Sequence, residues 1–309
     1  VCVSFQSSPR RIYGLTRGKR VHGEIDPRAV TKTNVFRESD YQASAKAWTP
    51  DQSMWAIIKQ RSTEGDAEVT ICGVRTDEPR RLVSRGSVRL RTSTDPVGAP
   101  IFYRDVPLMP SATKEGIVKP LADEAIPLIQ WRLRDISKPD APVVMGNLLT
   151  CANCHSFSAD GKTLGMDLDG PQNDKGMYTL VPVAERMTIS SQDVISWPSF
   201  REMGEAQVRV GFMSQVSPGG EYVATMVRGA MYVNNFKDYR FLQVFYPARG
   251  ILAWYSRAAG RLQALPGADD PRYVHTNAVW SPDGQYLVFA RAEARDPYPP
   301  GAQLAEYAG

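Results

Sequence analysis

Cys151, Cys154 and His155 stand in the spacing C-x-x-C-H, and that spacing has a specific chemistry. Two thiols separated by two residues can form thioethers to the vinyl groups of one haem, and the histidine that follows directly can bring its imidazole to the iron. With four Cys and three His in 309 residues, the pattern arises by chance on the order of once in two thousand shuffled chains. Two other uses of the thiols make different demands. A zinc site needs two more soft ligands, and only Cys2, Cys72, His22 and His275 remain, none in a second paired spacing. A thioredoxin-like dithiol expects a strand running into a helix, whereas Ser158-Ala-Asp-Gly just downstream reads as a hairpin turn. One covalently bound haem c is therefore the expected cofactor. Cys151 and Cys154 are its attachment points and His155 its proximal iron ligand.

A strong second axial ligand would fix six-coordinate iron for electron transfer, while an open position would admit small molecules. His275 is the first candidate for the distal ligand, because His22 lies beside a basic stretch far from any repeat; its other reading is a hydrogen-bonded loop residue. Met213 is the second. Met145, Met166, Met177 and Met203 are also near in sequence, but methionine within a strand usually fills core. Arg104, Arg132, Arg134 and Arg201 offer guanidinium forks for haem propionates, and Tyr103 and Trp131 could wall the pocket. The oxygen-rich run from Asp167 through Asp169, Asn173 and Asp174 hints at calcium but fails the EF-hand order and reads as a polar loop. No P-loop, G-x-G-x-x-G, H-E-x-x-H or G-x-S-x-G occurs, so hydrolase and nucleotide chemistry have no support.

These residues must be carried by a repeated β scaffold. Four segments share a pattern of short strand, tight turn and second strand: Thr49-Pro-Asp-Gln before Met54, Ser158-Ala-Asp-Gly before Thr163, Ser217-Pro-Gly-Gly before Tyr222, and Ser281-Pro-Asp-Gly before Tyr286. Further strands are expected at 68–73 with 81–84, at 177–183, and at 251–256 with 262–265 across the turn Arg257-Ala-Ala-Gly260. A hairpin plus two strands makes a four-stranded blade, so the predicted fold class is all-β, a β-propeller of four-stranded blades. The first repeat has Gln52 where glycine is expected. Uneven spacing requires insertions, the larger over about 95–150 with a short helix around Ala122 to Ile136, the smaller over about 229–250 with Tyr232, Phe236, Tyr239, Phe241 and Phe245 as cover. The last blade is read as incomplete, to be closed by other segments or another subunit. Aligned on the turn serine, Cys154 and Met213 each fall four residues before it and His275 six before, which places the haem on an inner strand near the channel mouth.

Composition is that of an ordinary soluble globular protein, 42% hydrophobic and 23% charged, and nothing in it suggests nucleic-acid binding. The formal charge of +4 is concentrated at one end, where Arg10, Arg11, Arg17, Lys19 and Arg20 precede any acidic residue. Residues 1–43 are accordingly read as a basic arm and lead-in, free in solution or in peripheral contact with an anionic membrane, and 44–309 as the propeller. No run approaches a membrane-spanning length. Haem attachment through C-x-x-C-H normally follows export, so a periplasmic or cell-surface location is expected, with Cys2 and Cys72 as unpaired thiols or bonded to a partner outside this chain.

The Ser-Pro-Asp-Gly hairpins resemble the TolB-type, WD-like propeller repeat, most closely over Asn277-Ala-Val-Trp-Ser-Pro-Asp-Gly-Gln-Tyr-Leu-Val-Phe-Ala. Together with Asp95-Pro-Val-Gly-Ala-Pro-Ile-Phe-Tyr-Arg-Asp-Val-Pro-Leu and the haem motif, residues 85–309 look like bacterial TolB-like propeller proteins carrying a single c-type haem. The resemblance implies fold and cofactor and leaves substrate open. Three functions follow as expectations: a monohaem cytochrome passing electrons between redox proteins or other cytochrome subunits, a haem enzyme with an open distal site for a small oxidant or nitrogen compound, or an assembly subunit that associates through open blade edges.

Overall fold

The computed structural model describes residues 1–21, 26–29, 39–98, 100–106, 123–138, 140–148, 152–168, 176–200, 211–235 and 243–295. The chain is all-β in character, with antiparallel sheets and few helices. It divides into two compact units, one of residues 1–25 with 38–99 and one of residues 26–37 with 100–309.

The first unit holds β1 (Cys2–Phe5), β2 (Ser8–Tyr13), β3 (Lys19–Arg20), β4 (Lys46–Ala47), β5 (Ala67–Val74) and β6 (Leu82–Leu90), with short α1 (Asp40–Ser44) and α2 (Gln52–Arg61). Its main sheet has the order β2-β1-β5-β6. The basic stretch is thus not a free arm: Val3 and Phe5 on β1 are buried with Val69 on β5, and Arg10 and Arg11 sit on the paired strand β2. Cys2 and Cys72 are both free thiols in this sheet. The first expected hairpin is instead α2. Gln52 cannot supply the left-handed glycine that closes the turn, and the Asp51 carboxylate accepts the Met54 N–H at 2.8 Å as an N-cap. Met54 and Ile58, one helical turn apart, then bury together.

The second unit is a series of sheets. The first is β7 (Ile101–Asp105), β8 (Gln130–Arg134) and β9 (Val143–Gly146); the second is β10 (Asn153–Phe157), β11 (Thr163–Leu168), β12 (Met177–Pro182) and β13 (Val194–Ser196). The third is β14 (Phe212–Val216), β15 (Tyr222–Asn235), β16 (Gln243–Ser256) and β17 (Arg261–Ala264), and the fourth is β18 (Tyr273–Trp280) with β19 (Leu287–Glu293), the two joined by a single parallel bridge between Gly250 and Val274. The second and third are complete four-stranded antiparallel blades. Sheets pack face to face through successive apolar seams, and the inner strands β10, β14 and β18 lie side by side.

Three of the four turns form as expected, with one geometry. Ser158, Ser217 and Ser281 each accept a glycine N–H at 2.9 Å on the backbone carbonyl, while their hydroxyls accept the amide of Thr163, Tyr222 or Tyr286 at 2.9–3.0 Å. Gly161, Gly220 and Gly284 carry φ of 68–79°, which requires glycine. The expected insertion over 95–150 is a sheet of the series, and the expected helix shrinks to a 3-10 turn, Asp123–Leu128, before strand β8. Alternation explains this: Phe102 and Arg104 on β7, and Trp131 and Leu133 on β8, share one face of a pleat. Residues 229–250 mostly extend β15 and β16 into a ribbon. Phe245 packs against the third seam, while Phe236, Tyr239 and Phe241 lie outside the described residues.

Candidate functional site

The motif lies on β10, the inner strand of the second sheet. Cys154 occupies a β-bulge between Asn153, opposite Asp167, and His155, opposite Met166, with φ of 52°. A non-glycine residue with left-handed backbone costs free energy, and bulges of this kind re-aim a side chain. Met213 and Asn277 have φ of 52° and 54° at the same position of β14 and β18, again at a register shift. The three inner strands therefore repeat one strained bulge, each four residues before its turn serine. Cys151 lies outside the described residues, as do His22, Arg201 and Met203.

Beyond the bulge, His155 shares a face with Met166 and looks toward the first sheet. Its ring meets the edge of Phe102 at 4.7 Å and lies 6.0 Å from Phe157. Burial holds its pKa below the ordinary histidine value, so the ring is neutral and keeps a lone pair at neutral pH. No described residue hydrogen-bonds it. Cys154 is half-buried, and burial, with Asp167 adding, pushes its thiol up to about 11; the Arg104 guanidinium works the other way. Free thiol hydrogens, an accessible bulge and an unengaged neutral imidazole fit a c-type haem. Among the described residues, no group of three or more His, Cys, Asp or Glu is spaced to hold a metal ion by itself.

The first sheet supports the motif from one face. Trp131, fully buried, donates Nε1–H to the Ala152 carbonyl at 3.0 Å, and Arg104 stands opposite Trp131 in register. Tyr103 and Arg132 do not join them, because they alternate to the other face. There Arg132 is committed to Asp105 at 2.8 Å, to Gln130 at 2.9 Å and to the Ala141 carbonyl at 2.6 Å. Arg134 is paired with Ile101 on that face as well.

Neither distal candidate lies on the His155 side. Met213 is the positional equivalent of Cys154 on the adjacent inner strand, but its half-buried side chain packs against the seam between the third and fourth sheets. His275 is fully buried at that same seam, beside Phe289 at 5.6 Å, two seams from His155. Neither of its ring nitrogens makes a complete hydrogen bond among the described residues. Burial, then Arg291, depress its pKa, while the Gly250 backbone acts in the other direction. It is not the hydrogen-bonded loop residue of its other reading, since it lies within β18.

Phe102 and Asp167 carry no motif and were not singled out for the site. Phe102 was legible only through the strand alternation that a helical reading of 122–136 hid. Asp167 is a lone acid in the apolar run Leu164-Gly-Met-Asp-Leu; it is 1% exposed on β11, where one oxygen accepts the Ser214 N–H at 3.2 Å and the other has no hydrogen-bond partner among the described residues. Residues 169–175, the rest of the oxygen-rich run, lie outside the described residues.

No protein-family model matches the chain, and no curated protein matches it. Among solved structures the chain is similar to the tricorn protease, at 15% identity and a TM-score of 0.32, over 57% of this chain and 14% of that one.

Proposed function

We propose that this chain is a monohaem c-type cytochrome on a propeller scaffold, located outside the cytoplasm and passing electrons between redox partners. The observation that carries the reading is the C-x-x-C-H run with Cys154 at a β-bulge of β10 and the His155 ring next to it, against Phe102 and without a hydrogen-bond partner among the described residues. The chemistry supplied by a bound haem is a one-electron ferric–ferrous couple. His155 would hold the iron, Cys151 and Cys154 the porphyrin edge, while Phe102 and Trp131 exclude water from one side and Arg104 places positive charge near the bulge. Of the two candidates Met213 stands nearer the motif by backbone, since it shares the bulge position on the neighbouring inner strand, and its side chain would have to leave the third seam to reach the iron; thioether ligation would raise the potential relative to a second imidazole.

The test is made on protein produced with a haem-attachment system. The denatured, acid-extracted chain should keep its colour and carry the added mass of one haem. Cys154→Ser should lose one thioether, and Met213→Leu should turn a low-spin spectrum high-spin while His275→Ala does not. A wild-type mass equal to the bare polypeptide ends the reading.

A further inference from the structure

The first sheet meets the motif position by position. Trp131 bonds Ala152, one of the two residues between the thiols; Phe102 lies against His155; and the Arg104 charge acts on Cys154 from the same face. The Phe102 contact is ring to ring, whereas the Trp131 Nε1–H to Ala152 C=O bond holds backbone. Both residues are fully buried, so neither partner has water to fall back on.

The segment it fixes needs fixing. Cys154 holds a left-handed φ of 52°, and the ladder between β10 and β11 shifts there: Asn153 pairs with Asp167 and His155 with Met166, Cys154 has no partner in the ladder, and Ala152 precedes the strand. Attachment adds each Cys S–H across a vinyl double bond, the S–C bond forming at one carbon and the hydrogen going to the other, and no oxidant is needed. Two such additions to one rigid porphyrin require the backbone between the thiols to be held still.

We propose that Trp131 is a positioning residue for haem attachment, pinning Ala152 and so ordering the backbone that leads into the Cys154 bulge. This rests on the haem-attachment reading above. Trp197 provides the control: it is as fully buried, it packs on Gly211 in the next seam, and its Nε1 has no partner among the described residues. Trp131→Phe and Trp197→Phe therefore remove similar ring volume, and only the first removes a hydrogen bond.

The first readout uses haem-free protein. Hydrogen exchange across residues 152–155 should be about tenfold faster in Trp131→Phe, in line with the loss of one buried hydrogen bond, and unchanged in Trp197→Phe. The second uses the mass of protein matured with haem: Trp131→Phe should accumulate singly linked product while Trp197→Phe stays doubly linked. Equal exchange in wild type and Trp131→Phe overturns the proposal, and so does an equal loss of double linkage in both variants. If Trp131→Phe frees the segment but wild type never takes up haem, the pinning stands and the cytochrome reading falls.

Discussion

The residue with most leverage outside the motif is Asp167. Burial raises its pKa to about 8, its bond from Ser214 offsetting only part of that, because one carboxylate oxygen is left without a hydrogen-bond partner among the described residues. An unfolded aspartate titrates near 3.9, so between about pH 4 and about pH 8 the native state binds more protons than the unfolded state, and stability falls as pH rises through that window. Asp167→Asn cannot titrate and keeps an oxygen for the Ser214 amide. Its stability should be flat where that of the wild type declines, so the variant gains relative to wild type from pH 5 to pH 9. Thermal melts of both proteins at those two pH values decide it; parallel curves would mean that Asp167 is already ionised in the fold. The same burial logic at His155 runs in the useful direction, since a depressed imidazole pKa leaves the ring free to ligate.

At the scale of elements, close approach between strands is bought with small residues. A Cβ on Gly165 of β11 would overlap the Tyr178 phenol, which reaches from β12 over β11 and shares a hydrogen bond with Ser156 of β10 at 3.1 Å. Gly165→Ala should therefore destabilise by about 3 kcal/mol, the upper range for overpacking a core, measured by denaturant unfolding. Gly86, with nothing within contact distance, is the comparison site where alanine should be nearly neutral in packing terms. Turn chemistry was the most legible feature of the sequence because it is local: a serine, an Ala-Asp, Pro-Gly or Pro-Asp pair and a positive-φ glycine specify the hairpin without help from the rest of the chain. Where that set was incomplete the reading failed, at Gln52, and the competing local signal, Asp51 as an N-cap, won. The strand β8 was hidden for the opposite reason. Its identity depends on a partner, β7, some 26 residues earlier, with Arg104 opposite Trp131, and no local signal fixes that pairing.

At the scale of the molecule, the repeat sets both the position of the Cys154 bulge and the exposed face of the sheet formed by β18 and β19. Alignment on the turn serines placed Cys154 and Met213 at equivalent points before any fold was known, and the shared bulge with Asn277 bears that alignment out. The alignment said nothing about which seam a side chain enters, which is why His275 was attractive in sequence and lies two seams away in the fold. The same equivalence identifies the face of β18 and β19 that continues the stack. Gly165 and Ala224 face the following sheet, and Ala224 is fully buried there, whereas their counterpart Val288 is 68% exposed, opposite Val279 at 57%. An apolar strand pair of this kind, with β19 at the sheet edge among the described residues, favours association with another sheet. Self-association through it predicts a sedimentation distribution that shifts to larger species with concentration, and a Val288→Lys protein that stays at the smallest species. Because Val288 contributes little buried area within the chain, the substitution should leave unfolding stability within about 0.5 kcal/mol of wild type. A Val288→Lys protein with full stability and undiminished association would locate the contact elsewhere, and one that loses stability by several kcal/mol would mean that this face is already covered within a single chain.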